Sequence, residues 1–137
     1  MSRNLDNNNP GALLFSNQPK AVLEPVTETT SNPTQAKFET MDDGITAVCT
    51  EVAKLMQSGK ASVKDILQEW PLQSEMSQSA ATILAANYCW VVPEYVFPVN
   101  IDTVASIAFA LCRLESNVLP FTRDDVLPLA KAVLATT

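Results

Sequence analysis

Residues 40–59 read TMDDGITAVCTEVAKLMQSG, and the helical character of the chain is plainest there. Thr40 stands three residues ahead of Asp43, the form of a capping box with Asp in place of Glu. Ile45, Val48, Val52, Leu55 and Met56 then recur at the three- and four-residue spacing of one helix face. Gly59 follows where a left-handed residue closes a helix. The stretch predicts a capped, amphipathic helix with a defined end.

The same pattern repeats downstream. Ser62 and Asp65 form a second cap, Val63, Ile66, Leu67 and Trp70 line one side, and Pro71 stops the helix. A third helix is expected from Ser74, with Met76, Ala80, Ile83, Leu84, Tyr88 and Val91 as its inward face. Its small middle, Ser79 to Ala86, lets neighbours approach closely and marks it as the central helix. Between Trp90 and Val99 two Pro and three aromatic residues forbid a continuous helix. That segment predicts an apolar loop that either seals the core or stays exposed for assembly. A fourth helix starts near Asn100 or Asp102, with Ile101, Val104, Ala108, Leu111 and Cys112 in one stripe. The fifth carries Val126, Leu129, Ala130, Val133 and Leu134; Thr122 offers a third cap, but Pro128 favours a start at Asp124 or Asp125. The expected fold is therefore all-α: a compact bundle of four to five short helices over residues 39–137.

Upstream the composition changes. Residues 1–38 hold Asn4, Asn7, Asn8 and Asn9, then Pro10, Pro19, Pro25 and Pro33, and a Thr/Ser/Asn run. Such a segment buries too little to repay its ordering entropy, so a disordered polar arm is expected. Two apolar islands interrupt it, Ala12 to Phe15 and Ala21 to Leu23. They read either as chance residues of a passive tail or as anchors that dock on a partner.

Charge divides along the same line. Arg3, Lys20 and Lys37 balance Asp6, Glu24 and Glu28, so the whole net charge of −6 belongs to residues 39–137. An acidic helical core is unlike a double-stranded DNA binder, whose affinity comes from clustered Lys and Arg. Single-stranded RNA stays open as a weak, repeated contact in an assembly, without a basic patch to support it. No apolar run is long enough to span a membrane, and no secretory leader is visible, so a cytoplasmic protein is expected.

The residue inventory excludes much catalytic chemistry. The chain has no His, which removes the usual general base and the usual neutral metal ligand. Cys49, Cys89 and Cys112 are far apart and sit in apolar segments, which predicts buried free thiols. Three Gly at 11, 44 and 59 cannot form a phosphate-cradling loop. The acidic pairs Asp42-Asp43 and Asp124-Asp125 fall at helix starts, where they favour the positive end of the dipole. No enzyme, no cofactor and no metal site is expected.

Two segments resemble a known family. Met76-Ser77-Gln78-Ser79-Ala80, with Leu84 and Cys89 following, is similar to a helix in the N-terminal half of coat proteins from flexible filamentous plant viruses. Phe121-Thr122-Arg123, with Leu127 and Ala130-Lys131-Ala132-Val133, resembles the helix before their central block. The resemblance implies a helical core, an extended N-terminal arm docking on the next subunit, and location in a virion. The family's aromatic and Arg-rich block is absent here, so no RNA site carries over.

The expectation is a non-enzymatic structural or assembly protein that self-associates through its arm. The alternatives are a small helical adaptor for a partner peptide or helix, and a helical lipid or small-molecule binder. The partner is another protein or a second copy. The expected contact residues are Leu13, Leu14 and Phe15 in the arm and Trp90, Tyr95 and Phe97 in the loop.

Overall fold

The computed structural model describes residues 3–136. In chain order they form α1 (Arg3–Asp6), β1 (Ala21–Leu23), β2 (Ala36–Phe38), α2 (Met41–Gln57), α3 (Val63–Glu69), α4 (Gln78–Tyr88), α5 (Ile101–Ser116) and α6 (Arg123–Ala135). The fold is therefore mixed, not all-α: six helices and an antiparallel two-stranded sheet stand among the described residues.

Helix boundaries follow local chemistry. The Thr40 hydroxyl accepts the Asp43 N–H at 3.1 Å, and the Ser62 hydroxyl accepts that of Asp65 at 3.1 Å. Asn100 caps α5 by accepting from the Thr103 N–H at 2.9 Å, while Thr103 Oγ1 takes the Asn100 N–H in return. Two starts differ from expectation. Ser77, not Ser74, caps α4 by accepting the Ala80 N–H. α6 begins at Arg123 despite Pro128, because the Asp125 carboxylate accepts the Thr122 N–H at 2.8 Å and fixes the first turn.

The core lies where α2, α5 and α6 pack on one another. Val48, Val52, Val104, Leu111, Cys112, Val126 and Ala130 are fully buried there. α4 is not central. It packs on α3 and α5, and its buried residues are Ala81, Ala85 and Ala86. The larger Ile83 and the small Ala80, both expected inside, face out. Alanine permits the closest helix approach, and here it won the inward face over a bulkier residue.

The arm is folded. β1 and β2 pair with Ala21 opposite Phe38 and Leu23 opposite Ala36, and Leu14 bridges Gln35 on the far side of β2. Both apolar islands are thus built into a small sheet within the chain. Leu13, Ala36 and Phe38 enter the core, so Leu13 is spent inside its own molecule. Polar side chains supply what composition did not promise. Asn9, fully buried, donates to the Leu13 and Ala36 carbonyls at 2.9 Å and accepts the Leu13 N–H. Asn4 donates to the Glu115 carbonyl at 2.8 Å, and the Ser116 hydroxyl donates to the Pro10 carbonyl at 2.6 Å, joining the arm to the end of α5.

Glycine makes the close fit possible. A Cβ on Gly44 in α2 would collide with the Asn8 carbonyl, and one on Gly11 would come within 2.6 Å of Val48 Cγ2. Two of the chain's three Gly therefore sit at the seam between arm and α2.

Candidate functional site

α4 carries no charged residue, which is unusual for a helix with a solvent face. Its outward stripe is Ala80, Ile83 and Asn87. The helix ends in a Schellman motif: the Trp90 N–H reaches the Asn87 carbonyl and the Val91 N–H the Ala86 carbonyl, both at 3.1 Å. That motif requires a left-handed residue, and Trp90 takes it with φ of 60°. α2 ends in the same motif, through Gly59 N–H to Met56 and Lys60 N–H to Leu55, with glycine in the left-handed place. A bulky side chain there costs about 1–2 kcal/mol relative to an unstrained residue. Trp90 recovers none of this by packing, since it is 94% exposed.

Beyond Trp90 the chain is irregular but firmly held. The Lys64 N–H, unsatisfied in the first turn of α3, donates to the Pro93 carbonyl at 3.0 Å, and the Phe97 N–H donates to the Ala61 carbonyl at 2.9 Å. Thr103 Oγ1 donates to the Pro98 carbonyl at 2.6 Å. Phe97 turns inward against the core, and Tyr95 meets its ring edge-on at 4.9 Å. Val92, Tyr95, Val96 and Val99 are left facing solvent, with Val96 68% exposed. Ile83 on α4 and Trp90 at its end are exposed as well, so one stretch of chain, 83–99, carries a band of solvent-facing apolar side chains. The segment is divided between its two readings: Val91 and Phe97 pack against the core, and Trp90, Val92, Tyr95, Val96 and Val99 are exposed.

A groove of about 360 Å³ borders the band between α3 and α4. Lys64, Gln68, Gln78, Ile83, Pro93 and Glu94 are among the residues that line it. Lys64 and the neighbouring Glu94 are exposed, and neither enters an ion pair among the described residues.

The expected contact residues fall into two places. Trp90, Tyr95 and Phe97 share the band, though Phe97 serves as its inward anchor. Leu13, Leu14 and Phe15 lie elsewhere, on the arm, where Leu14 borders Leu55 and Trp70. Leu13 is buried, Phe15 is half-buried, and only Leu14 is exposed. The sequence reading missed Ile83, Val92 and Val96. The signal that could have found them was the missing charge: residues 76–101 hold one charged side chain, Glu94.

Other chemistry is quiet. Burial pushes the Cys49 thiol up to about 12 and the Cys89 thiol up to about 11, and raises that of Cys112. All three stay protonated near neutrality; Cys49 and Cys112 are buried, whereas Cys89, also expected to be buried, is only half-buried at the end of α4. Among the described residues no group of His, Cys, Asp or Glu converges as a metal set, and no helix is long and apolar enough to cross a membrane. Set against known protein families and against curated proteins, the chain matches none of either.

Proposed function

We propose that this protein is a non-catalytic structural or assembly protein whose contact face is the band of Ile83, Trp90, Val92, Tyr95 and Val96. One observation carries the reading. Trp90 takes a left-handed backbone, held by the two bonds that close α4 where glycine would avoid the strain, and carries an almost fully exposed indole that returns no packing. Backbone strain persists where function retains it, and tryptophan is the residue most enriched at the energetic centres of protein interfaces. The rigid frame supports the same reading, because a preorganised face loses little entropy on binding. The resemblance of residues 76–89 and 121–133 to filamentous plant-virus coat subunits also favours an assembly role. Single-stranded RNA as a further partner rests on that resemblance alone.

The arm takes a different part from the expected one. Leu13 is buried within the chain, so association through it requires the arm to be released first, while Leu14, Val22 and Leu23 stay exposed. Light scattering of the full chain over a wide concentration range tests the proposal. The wild type is expected to give mass rising with concentration, while Trp90→Gly and Val96→Ser stay monomeric with unchanged helicity. A wild type that remains monomeric at its highest soluble concentration overturns the reading.

A further inference from the structure

We infer that the partner on this face is a second copy of the chain, seated about a two-fold axis, with Trp90 of each copy in the α3–α4 groove of the other. The inference rests on the assembly reading above and gives it an occupant. Charge selects the occupant. The chain carries −6 overall, so two copies repel wherever their acidic surfaces meet. The band is the exception, since residues 76–101 contribute only Glu94, and Lys64, which lines the groove with it, offsets it. A neutral face on an acidic chain is where a second copy meets no penalty. It offers a strongly charged partner no compensating attraction.

Shape points the same way. The face carries a knob and a hole together. The groove is bordered by Thr82 and Ile83 near the start of α4, and Trp90 projects just past its end. They stand seven to eight residues apart, about 11 Å along a helix. A two-fold axis between them, near exposed Asn87, lays two α4 helices antiparallel and brings each knob to the other hole. The groove suits an indole. Ile83 and Pro93 give apolar walls, the Lys64 ammonium can lie over the ring, and Gln68, Gln78 and the Glu94 carboxylate offer oxygens to its N–H. Asn87 can pair with its own copy across the axis, its amide donating and accepting in turn. The uncharged stripe of Ala80 and Asn87 lets the helices close.

Mixing two variants tests the exchange. Trp90→Ala removes the knob and keeps the groove; Ile83→Arg obstructs the groove and keeps the knob. Both positions are exposed, so circular dichroism, and melting temperature at a protein concentration too low for association, should match wild type. By analytical ultracentrifugation each variant alone is expected to be monomeric where the wild type is dimeric. An equimolar mixture is expected to regain a heterodimer, weaker than wild type, because one intact knob-and-groove pair survives. If either variant alone stays dimeric, or if the mixture stays monomeric while wild type dimerises, the exchange is wrong and the band still stands as a contact face. If wild type itself never dimerises, both the exchange and the assembly reading fall.

Discussion

The arm and the 90–100 segment are both irregular, both interrupted by proline, and opposite in composition and in fate. The arm is polar and neutral, yet Asn7, Asn9, Glu24 and Gln35 are buried in it, four of the six buried polar residues in the described chain. The 90–100 segment is apolar, yet Trp90, Val92, Val96 and Val99 stay in water. Hydrophobicity alone would have placed them the other way round. What draws an irregular segment inside is whether its backbone groups find partners there, since a buried N–H or C=O without one is costly. The arm brings partners with it, in the amides of Asn8 and Asn9 and the carboxylate of Glu24. The 90–100 segment is tied down at Pro93, Phe97 and Pro98 and keeps its other side chains for outside use.

The most forceful way to break this contrast is to make the arm behave as its composition suggests. Gly44→Ala should improve α2 by about 1 kcal/mol as an isolated helix. In the folded chain the new Cβ meets the Asn8 carbonyl, a backbone atom that cannot swing aside. The arm must lift, and a net loss of more than about 3 kcal/mol is expected, above the usual range for overpacking. Chemical denaturation measures the loss, and limited proteolysis should show cuts confined to residues 3–38. Unchanged stability would mean the arm is not seated on α2 as described.

A milder way is acid. Glu24 is buried, which by itself raises its carboxyl, but hydrogen bonds from Arg3, Asn7 and the backbone of Thr34 and Gln35 outweigh this and hold it down at about 2. Its ordinary value is 4.5. A depressed carboxyl contributes stability that is complete above the ordinary value and is lost as pH falls through the folded one, here between about pH 5 and 2, and linkage makes it worth about 3 kcal/mol. Glu115 moves the other way: burial raises it against the Gln73 and Ser74 N–H groups, so its protonation on acidification favours the fold. Melting temperature followed from pH 6 to pH 2 should therefore fall steeply only toward the acid end. Glu24→Gln should lower the plateau and remove most of that fall. An equally steep fall in the variant would place the acid-sensitive group elsewhere.

These two experiments also mark what the sequence could not disclose. Thr40, Ser62 and Asn100 announce their helices because each cap is completed within three residues. Local chemistry is legible when both partners lie in one window. The arm's bonds join residues far apart: Asn9 to Ala36, Gln35 to Asn4, and Asn4 to Glu115. An asparagine that will cap a strand edge is indistinguishable, in sequence, from one that will be solvated. The strands were hidden for a similar reason, being three residues each and separated by a loop with two prolines. In α4 the period was readable but its phase was not, because alanine is as acceptable inside as outside, and the buried face went to Ala81 and Ala85 rather than to Ile83. Trp90, Tyr95 and Phe97 were recognisable as a group, while their division into exposed and anchoring rings depended on the Phe97 bond to Ala61, far off in the α2–α3 connection.

The finest test uses the repeated helix ending. α2 and α4 close with the same pair of backbone bonds, but the left-handed residue is Gly59 in one and Trp90 in the other. Nothing lies near a Cβ built on Gly59, so Gly59→Ala isolates the backbone term and should destabilise by about 1 kcal/mol. Trp90→Gly relieves the same strain and removes an exposed indole that contributes no packing, so it should stabilise the monomer by about 1 kcal/mol. Both changes are read as shifts in denaturation midpoint at low protein concentration, where association does not contribute. Opposite signs would establish that tryptophan is retained at this turn against the interest of the fold, which is the mark of a residue kept for a contact. A Trp90→Gly variant less stable than wild type would instead give the indole a structural duty, and would remove the observation on which the assembly reading chiefly depends.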